Sequence, residues 1–415
     1  MSVILPIVSL LCSTFFLMAG AGLLGIVLPV RGSLEGWSTY EIGFLGTGYA
    51  VAFTIGCLVV PQIVRRAGHV KTFSSLCATL VIAGLLFGLI VSPFAWIFVR
   101  GLMGFALAGS YMIIESWLNE RVTNETRGKI FSVYMIVSMS AMMGGQYIMP
   151  LTDPALTTPF MIGAILFALA VIPTSLSQAP APKPLKQASL DLKGIFRNSP
   201  AAAVGVFLAG VLSGSWNNMS PVFGQRSGFS NAEIATLLAA TMAGGIVCQY
   251  PLGRLSDRLD RRIVMTGAGL FGVAIALTAM TLSSDNPLTL FVIAFALGGV
   301  IYPAYSLTVA HANDYARPED FVKVSGGLLI LYGFGTMGGP LLAAWLMETF
   351  GPSGIFAATG TAHAIFAGYA FYRTFRRQAP LASERADFQQ TPLARTQTPA
   401  SFSLDPRAKE EPEIG

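Results

Sequence analysis

Charged side chains are scarce. Only 11% of the 415 residues are Asp, Glu, Lys or Arg, where a soluble domain carries about 25%. Hydrophobic residues make up 53%, and the mean hydropathy is +0.63. A water-soluble chain of this composition would expose large apolar patches, so lipid is the solvent that suits its surface. Cysteine is also sparse. Cys12, Cys57, Cys77 and Cys248 all fall inside apolar runs, without metal-ligand spacing, and read as small buried thiols rather than a disulfide framework. No Walker sequence occurs, which excludes ATP use in the usual way. No catalytic or metal cluster is visible, and no cofactor is expected. No basic n-region precedes the first apolar run and no small-residue cleavage site follows it, so the first helix is expected to serve as an uncleaved insertion signal. A net charge of +5 points to nucleic acid only where the basic residues cluster. Here the basic residues form no patch or stripe; they sit between apolar runs, where topology accounts for them.

What is present is a series of apolar runs near the length a membrane helix needs, about 20 residues. Twelve are read, at about 5–30, 39–63, 70–91, 94–119, 129–150, 157–177, 200–223, 231–255, 263–283, 287–312, 322–348 and 353–375. The expected fold class is an all-α integral membrane protein of two six-helix bundles, 1–177 and 200–376. A Pro- and Lys-rich linker at 178–199 joins them, and a polar tail at 377–415 is expected to be disordered. Of the 26 Lys and Arg, sixteen lie in alternate loops on one side and seven more follow the last span. Arg100 lies within a span, and the opposite loops hold only Arg31 and Arg226. The positive-inside rule then places the linker and both termini in the cytoplasm.

The two halves repeat. Gly36-Trp37-Ser38-Thr39-Tyr40-Glu41-Ile42 matches Gly228-Phe229-Ser230-Asn231-Ala232-Glu233-Ile234 at an offset of 192. Phe105-Ala106-Leu107-Ala108-Gly109 matches Phe295-Ala296-Leu297-Gly298-Gly299 at 190, and Met142-Met143-Gly144-Gly145 matches Thr336-Met337-Gly338-Gly339 at 194. The offset spans six helices, an even number, so the repeat is parallel and its axis runs along the membrane normal. The first match also contains two S-x-x-E capping boxes, a structural feature of helix starts. Gly20 to Gly25 and Gly267 to Gly272 both spell G-x-G-x-x-G, but neither lies between a strand and a helix. They read as close helix-packing surfaces and not as dinucleotide sites.

Gly253-Arg254-Leu255-Ser256-Asp257-Arg258-Leu259-Asp260-Arg261-Arg262 follows the eighth span. It resembles the signature loop of the major facilitator superfamily, and its first-half counterpart at 61–71 has Arg65 where the Asp belongs. Arg100-Gly101-Leu102-Met103-Gly104, with Gly109, resembles that superfamily's fourth-helix motif, and Glu120 followed by Arg127-Gly128 resembles its loop between the fourth and fifth helices. Glu115-Ser116-Trp117-Leu118-Asn119-Glu120 is most similar to the bacterial YcaD-type transporters. The resemblance covers about residues 5 to 376. It implies a secondary active transporter of a small solute in the bacterial inner membrane, working by alternating access, with no substrate specified. Export is set slightly ahead of uptake, proton coupling is open, and a monomer is expected. A transporter-shaped sensor or assembly partner is the alternative, with the tail from Gln378 recruiting a soluble protein; the tail has no amphipathic or charged-block motif to support it.

Candidate site residues follow from polar groups in apolar helices, each of which needs a partner or a cavity. Gly104, Ala108, Tyr111 and Glu115 share a helical face that Arg100 joins, and this face is expected to line a cavity. Arg100 could bind an anionic group, couple to a proton, or pair with carbonyls of a neighbouring helix. Glu115 could be protonated in the cycle or neutralise Arg65 or Arg66. Asn217, Asn218, Tyr302 and Tyr305 are candidate ligand contacts if, as the resemblance implies, the fourth, seventh and tenth spans surround the cavity. Their structural alternative is interhelical hydrogen bonding. Tyr49, Gln146, Gln249, Tyr332 and His311 carry the same ambiguity, and His311 with Asp314 reads as a solvated loop pair. The gate motif comprises Gly253, Asp257, Arg258, Arg261, Arg262 and Arg127. Asp257 is expected to meet Arg127 and the positive start of the fifth helix as a single cytoplasmic lock. The alternative is that the motif only fixes topology.

Overall fold

A computed structural model describes residues 7–123, 126–176, 192–282, 286–316, 321–378, 388 and 398–404. Within them lie twelve long helices and one short one, and no strand is present among the described residues. The first half contains α1 (Val8–Leu34), α2 (Thr39–Ala67), α3 (His69–Leu89), α4 (Pro93–Asn119), α5 (Arg127–Gln146) and α6 (Thr158–Ser175). The short α7 (Leu192–Asn198) leads into the second half: α8 (Pro200–Arg226), α9 (Asn231–Arg258), α10 (Arg261–Thr281), α11 (Pro287–Asn313), α12 (Phe321–Phe350) and α13 (Gly354–Thr374). Nine of the described helices are long and apolar enough to cross a membrane. The other long ones, α5, α8 and α13, are less apolar over a bilayer-length stretch and pack among them. Most of the expected linker, including Lys183 and Lys186, lies outside the described residues.

The repeat recurs in the packing. In the first half α1 packs on α5 and α6, α2 on α4, and α3 on α4 and α6. In the second α8 packs on α12 and α13, α9 on α11, and α10 on α11 and α13. The local causes repeat as well. Gly36 and Gly228 both hold positive φ, at 75° and 80°, a backbone state glycine adopts without strain. Each lets the next residue's amide reach back to a helix carbonyl, Trp37 to Gly32 at 3.0 Å and Phe229 to Gly224 at 3.0 Å. Ser38–Glu41 and Ser230–Glu233 then form the two reciprocal capping boxes that start α2 and α9. Where α2 crosses α4, a Cβ on Gly56 would lie 2.9 Å from the Phe105 carbonyl oxygen, and Gly244 meets the Phe295 carbonyl in the same way where α9 crosses α11. The matching Phe105 and Phe295 segments therefore mark one helix crossing built twice.

The halves do not meet symmetrically. Across the interface α2 packs closely on α12, and α1 on α8. The symmetry mates of the first pair, α9 and α5, make no comparable contact. The close contacts lie at the end where α1 passes to α2 and α8 to α9. Thr39 donates its amide (3.0 Å) and hydroxyl (2.6 Å) to Glu348, Arg226 reaches the Trp37 carbonyl at 3.0 Å, and Tyr147 meets Thr236 at 3.3 Å. This end is closed. The other end, which carries the arginine-rich signature loop, is splayed, and a 3-10 turn at Pro399–Leu404 sits against α4, α12 and α5 there. The tail thus has structure at 399–404, where a disordered segment was expected. Thr398 and Ser401 are buried there, and Ala400 packs on the apolar core.

Candidate functional site

Between the halves lies a cavity of about 1120 Å³, its open mouth included. Helices α1, α2, α4, α5, α8, α9 and α12 contribute to its wall, and Pro399 of the tail lines it too. Arg100 is the single charged residue among the described lining residues. Its guanidinium lies 4.7 Å from the centre of the Tyr49 ring, a cation–π distance, and one of its nitrogens lies 3.1 Å from the Met103 sulfur. The side chain is 8% exposed, so its charge acts in a poorly screened setting where an opposite charge interacts strongly.

The cavity face of α4 is Arg100, Met103, Leu107 and Tyr111. The expected stripe through Gly104 and Ala108 is rotated away. A Cβ at Gly104 would collide with the Tyr49 carbonyl, and Ala108 packs on Gly56, so these small residues allow α2 and α4 to approach closely. The same logic holds for parts of the two glycine runs. Gly22 faces the Met142 carbonyl and Gly269 the α13 backbone, whereas Gly25 and Gly267 meet nothing within 4 Å.

Asn217 and Asn218 both line the cavity from α8. Their amide nitrogens are engaged by their own helix, with Asn217 donating to the Ser213 carbonyl and Asn218 to the Gly214 carbonyl, each at 2.8 Å. Tyr302 donates to the Asn217 carbonyl oxygen at 2.9 Å. It therefore positions a lining residue and is not itself among the lining residues. Tyr305 is buried edge-on against Tyr332 at 5.1 Å, and Tyr332 is the one that lines the cavity. Of the ambiguous residues, Tyr49 and Gln146 also line it, while Gln249 bonds Ser306 across the α9–α11 contact at 3.0 Å. Phe53, Thr54, Ser213 and Thr336 complete the polar and aromatic lining. No charge or motif in the sequence distinguishes these four from ordinary helix-packing residues.

Glu115 stands one turn beyond Tyr111, toward the arginine-rich end, and is 1% exposed. It is not a partner of Arg65 or Arg66, which are exposed. Its carboxylate accepts from the Tyr134 hydroxyl of α5 at 3.1 Å and from the Thr398 hydroxyl of the tail.

In the signature loop Asp257 pairs with Arg261 at 3.3 Å and accepts the Phe388 amide at 3.0 Å. The expected partner, Arg127, is buried at the start of α5 and does not meet Asp257 in this conformation, because α5 and α9 are apart at the arginine-rich end. Arg261 also forms a buried pair with Asp314 at 2.8 Å. His311 is a buried residue of α11 with its ring edge-on to Tyr315 at 5.2 Å, so the solvated His311–Asp314 pair is replaced by Arg261–Asp314. Arg262 clasps Asp260 at 2.7 Å and donates to the carbonyls of Arg373 and Arg377, at 2.8 and 2.7 Å. Burial works against ionisation of Asp260, but hydrogen bonds and charge from Arg262 outweigh it and hold the carboxyl below its usual range. Arg258 is exposed, and Gly253 is buried.

Comparison with known proteins agrees with this arrangement. The Major Facilitator Superfamily model matches residues 10–244 and 207–407. An uncharacterized MFS-type transporter of Yersinia pestis (strain Pestoides F) is 24% identical over 391 residues, covering 94% of this chain and 98% of the relative. The uncharacterized MFS-type transporter YcaD of Salmonella newport is 24% identical over 356 residues, covering 85% and 91%. Among solved structures, the nucleoside transporter NupG superposes with a TM-score of 0.70 at 15% identity, over 89% of this chain and 97% of that one. A bacterial homolog of the human lysosomal transporter Spinster, in an inward-facing and unoccupied conformation, gives 0.69 at 14%, over 92% and 98%. With the family matched along nearly its whole length and the same two-bundle fold in place, the chain is a multi-pass membrane protein of the Major Facilitator Superfamily.

Proposed function

We propose that the chain is a secondary active transporter that carries a small organic anion across the bacterial inner membrane by alternating access. The observation that carries this reading is the position of Arg100, the charged member of the described cavity wall, beside Tyr49 and below the closed end. A buried guanidinium favours a carboxylate or phosphate, which it can meet with paired hydrogen bonds. Tyr49, Phe53, Tyr111 and Tyr332 offer flat apolar surface for the rest of the solute. The distribution of Lys and Arg supports a cytoplasmic arginine-rich end and cytoplasmic termini. The described conformation opens the cavity toward that side, the loading side for an exporter, and on that ground we place export ahead of uptake. Glu115 is the candidate proton carrier, since it is a buried carboxylate on the helix that also holds Arg100. The chain is proposed to act as a monomer, because the cavity is complete within one chain.

The test is thermal stabilisation of purified protein across a panel of organic anions and their uncharged amides or esters. Anions should stabilise and their neutral counterparts should not, and Arg100→Ala should abolish the shift while Arg100→Lys retains part of it. Stabilising compounds that are indifferent to charge and to Arg100 would overturn the substrate class and the site together.

A further inference from the structure

The arginine-rich mouth is occupied by the chain's own tail at two separate places. At the first, Thr398 and Ser401 are buried to 0% and 2% exposure. The Thr398 hydroxyl donates to Glu115, Ser401 closes the turn by donating to the Thr398 carbonyl at 2.7 Å, and Pro399 forms part of the cavity wall. At the second, Phe388 lies on the signature loop. Its amide donates to Asp257 at 3.0 Å, and its ring occupies the space above Gly253 that any side chain at that position would fill.

These contacts engage the groups that the transport cycle needs. Pro399 stands in the wall of the cavity that a solute would occupy. Closure of that end requires α9 to approach α5, with Asp257 facing the start of α5, yet the carboxylate is already held by Arg261 and the Phe388 amide. The buried turn also stands among α4, α12 and α5, in the gap that closure must eliminate. Phe388 and Thr398 are ten residues apart in the chain, so the two contacts belong to one tail.

We propose that Phe388, Thr398 and the turn Pro399–Leu404 of the tail act as a plug in the open mouth, seated by Phe388 on Gly253 and Asp257 and by Thr398 on Glu115, and that they must leave before the mouth can admit solute or close. This goes beyond the transport reading and does not depend on which solute is carried. The plug's fully buried side chains, Thr398 and Ser401, are small and polar, which suits repeated release. A wholly apolar plug would bury more area and resist release.

Cys57 provides the probe because it lines the cavity and is buried. With Cys12, Cys77 and Cys248 replaced by alanine, its reaction with a water-soluble maleimide in detergent reports access through the mouth. A protease site introduced between residues 380 and 386 allows the tail to be cut after the full chain has folded. Cutting, or Thr398→Glu in the intact chain, should raise the Cys57 labelling rate at least tenfold, and a synthetic peptide of residues 386–404 should slow the cut protein again. The Phe388→Ala variant should fall between. An unchanged rate after both cutting and Thr398→Glu would overturn the plug. Because the readout is labelling, that failure would leave the transport proposal standing.

Discussion

Glu348, in the last turn of α12, accepts both the amide (3.0 Å) and the hydroxyl (2.6 Å) of Thr39, the first residue of α2. Two physical effects coincide there. The start of a helix presents free N–H groups and partial positive charge, and a carboxylate from the other half supplies both an acceptor and the opposite charge. Arg226 approaches the same carboxylate at 3.9 Å and fixes the Trp37 carbonyl. The cluster ties α2, α8 and α12 together at the closed end.

Glu348→Gln should therefore loosen that end without unfolding the protein. A charged hydrogen bond contributes about 1.5–3 kcal/mol, so the fraction of molecules open at the end opposite the arginines should rise roughly ten- to a hundredfold. Labelling of a single cysteine at Ala50, which is buried in the cavity wall, from outside intact cells would measure it, and Thr39→Val should act in the same direction.

Close helix crossing is the second point open to test. Gly244→Ala would drive a methyl group into the Phe295 carbonyl where α9 crosses α11. Backbone cannot yield as a side chain does, and overpacking of this kind costs about 1–3 kcal/mol or more. Gly267→Ala meets nothing within 4 Å and should be neutral, or stabilising by about 0.4–1 kcal/mol through the unfolded chain. Melting temperatures of the two variants in detergent should separate clearly. Equal losses would show that the crossing is not close.

Much of this architecture was legible in the sequence because its causes are local or periodic. Gly36 and Gly228 are at matched positions since each turn needs positive φ, and Ser38–Glu41 and Ser230–Glu233 announce helix starts by hydrogen bonds within four residues. The site was harder to read. Arg100 stands out as a charge in an apolar run, but helical spacing alone does not show which flank of α4 meets α2, and it puts Gly104 and Ala108 on the same face as Arg100. Tyr302 and Asn217 are linked across two helices far apart in the chain, a relation no spacing records. The tail's polar composition gives no hint of a partner, because the groove it enters exists only after α4, α5 and α12 have packed.

The signature loop yields a pH-dependent prediction. Asp260 caps α10, accepting the Arg262 amide at 2.9 Å, and its carboxyl is held below the usual range. A carboxyl depressed in the folded state adds stability that is fully present above its unfolded value, near 4, and is lost as pH falls through the lower folded value. Asp260→Ala should thus lower the melting temperature at neutral pH, at a cost of about 0.5–2 kcal/mol for the lost cap. The difference from the parent should shrink as pH drops below about 4. A deficit of constant size down to pH 3 would mean that packing, and not the ionised carboxylate, is responsible.

Glu115 gives the sharpest test of proton coupling. Its carboxylate is buried between α4 and α5, facing the Tyr134 hydroxyl, and burial in so apolar a setting is costly for a charge unless the group serves the cycle or gives up its charge. Glu115→Gln keeps the size and the acceptor for Tyr134 but cannot release a proton. If Glu115 carries the proton, this variant should still exchange labelled anion for unlabelled anion across proteoliposomes, since exchange needs no net proton movement. It should lose accumulation driven by a pH gradient by at least tenfold. Loss of both activities would instead assign Glu115 to holding α4 and α5 together, and retention of both would remove it from the coupling path.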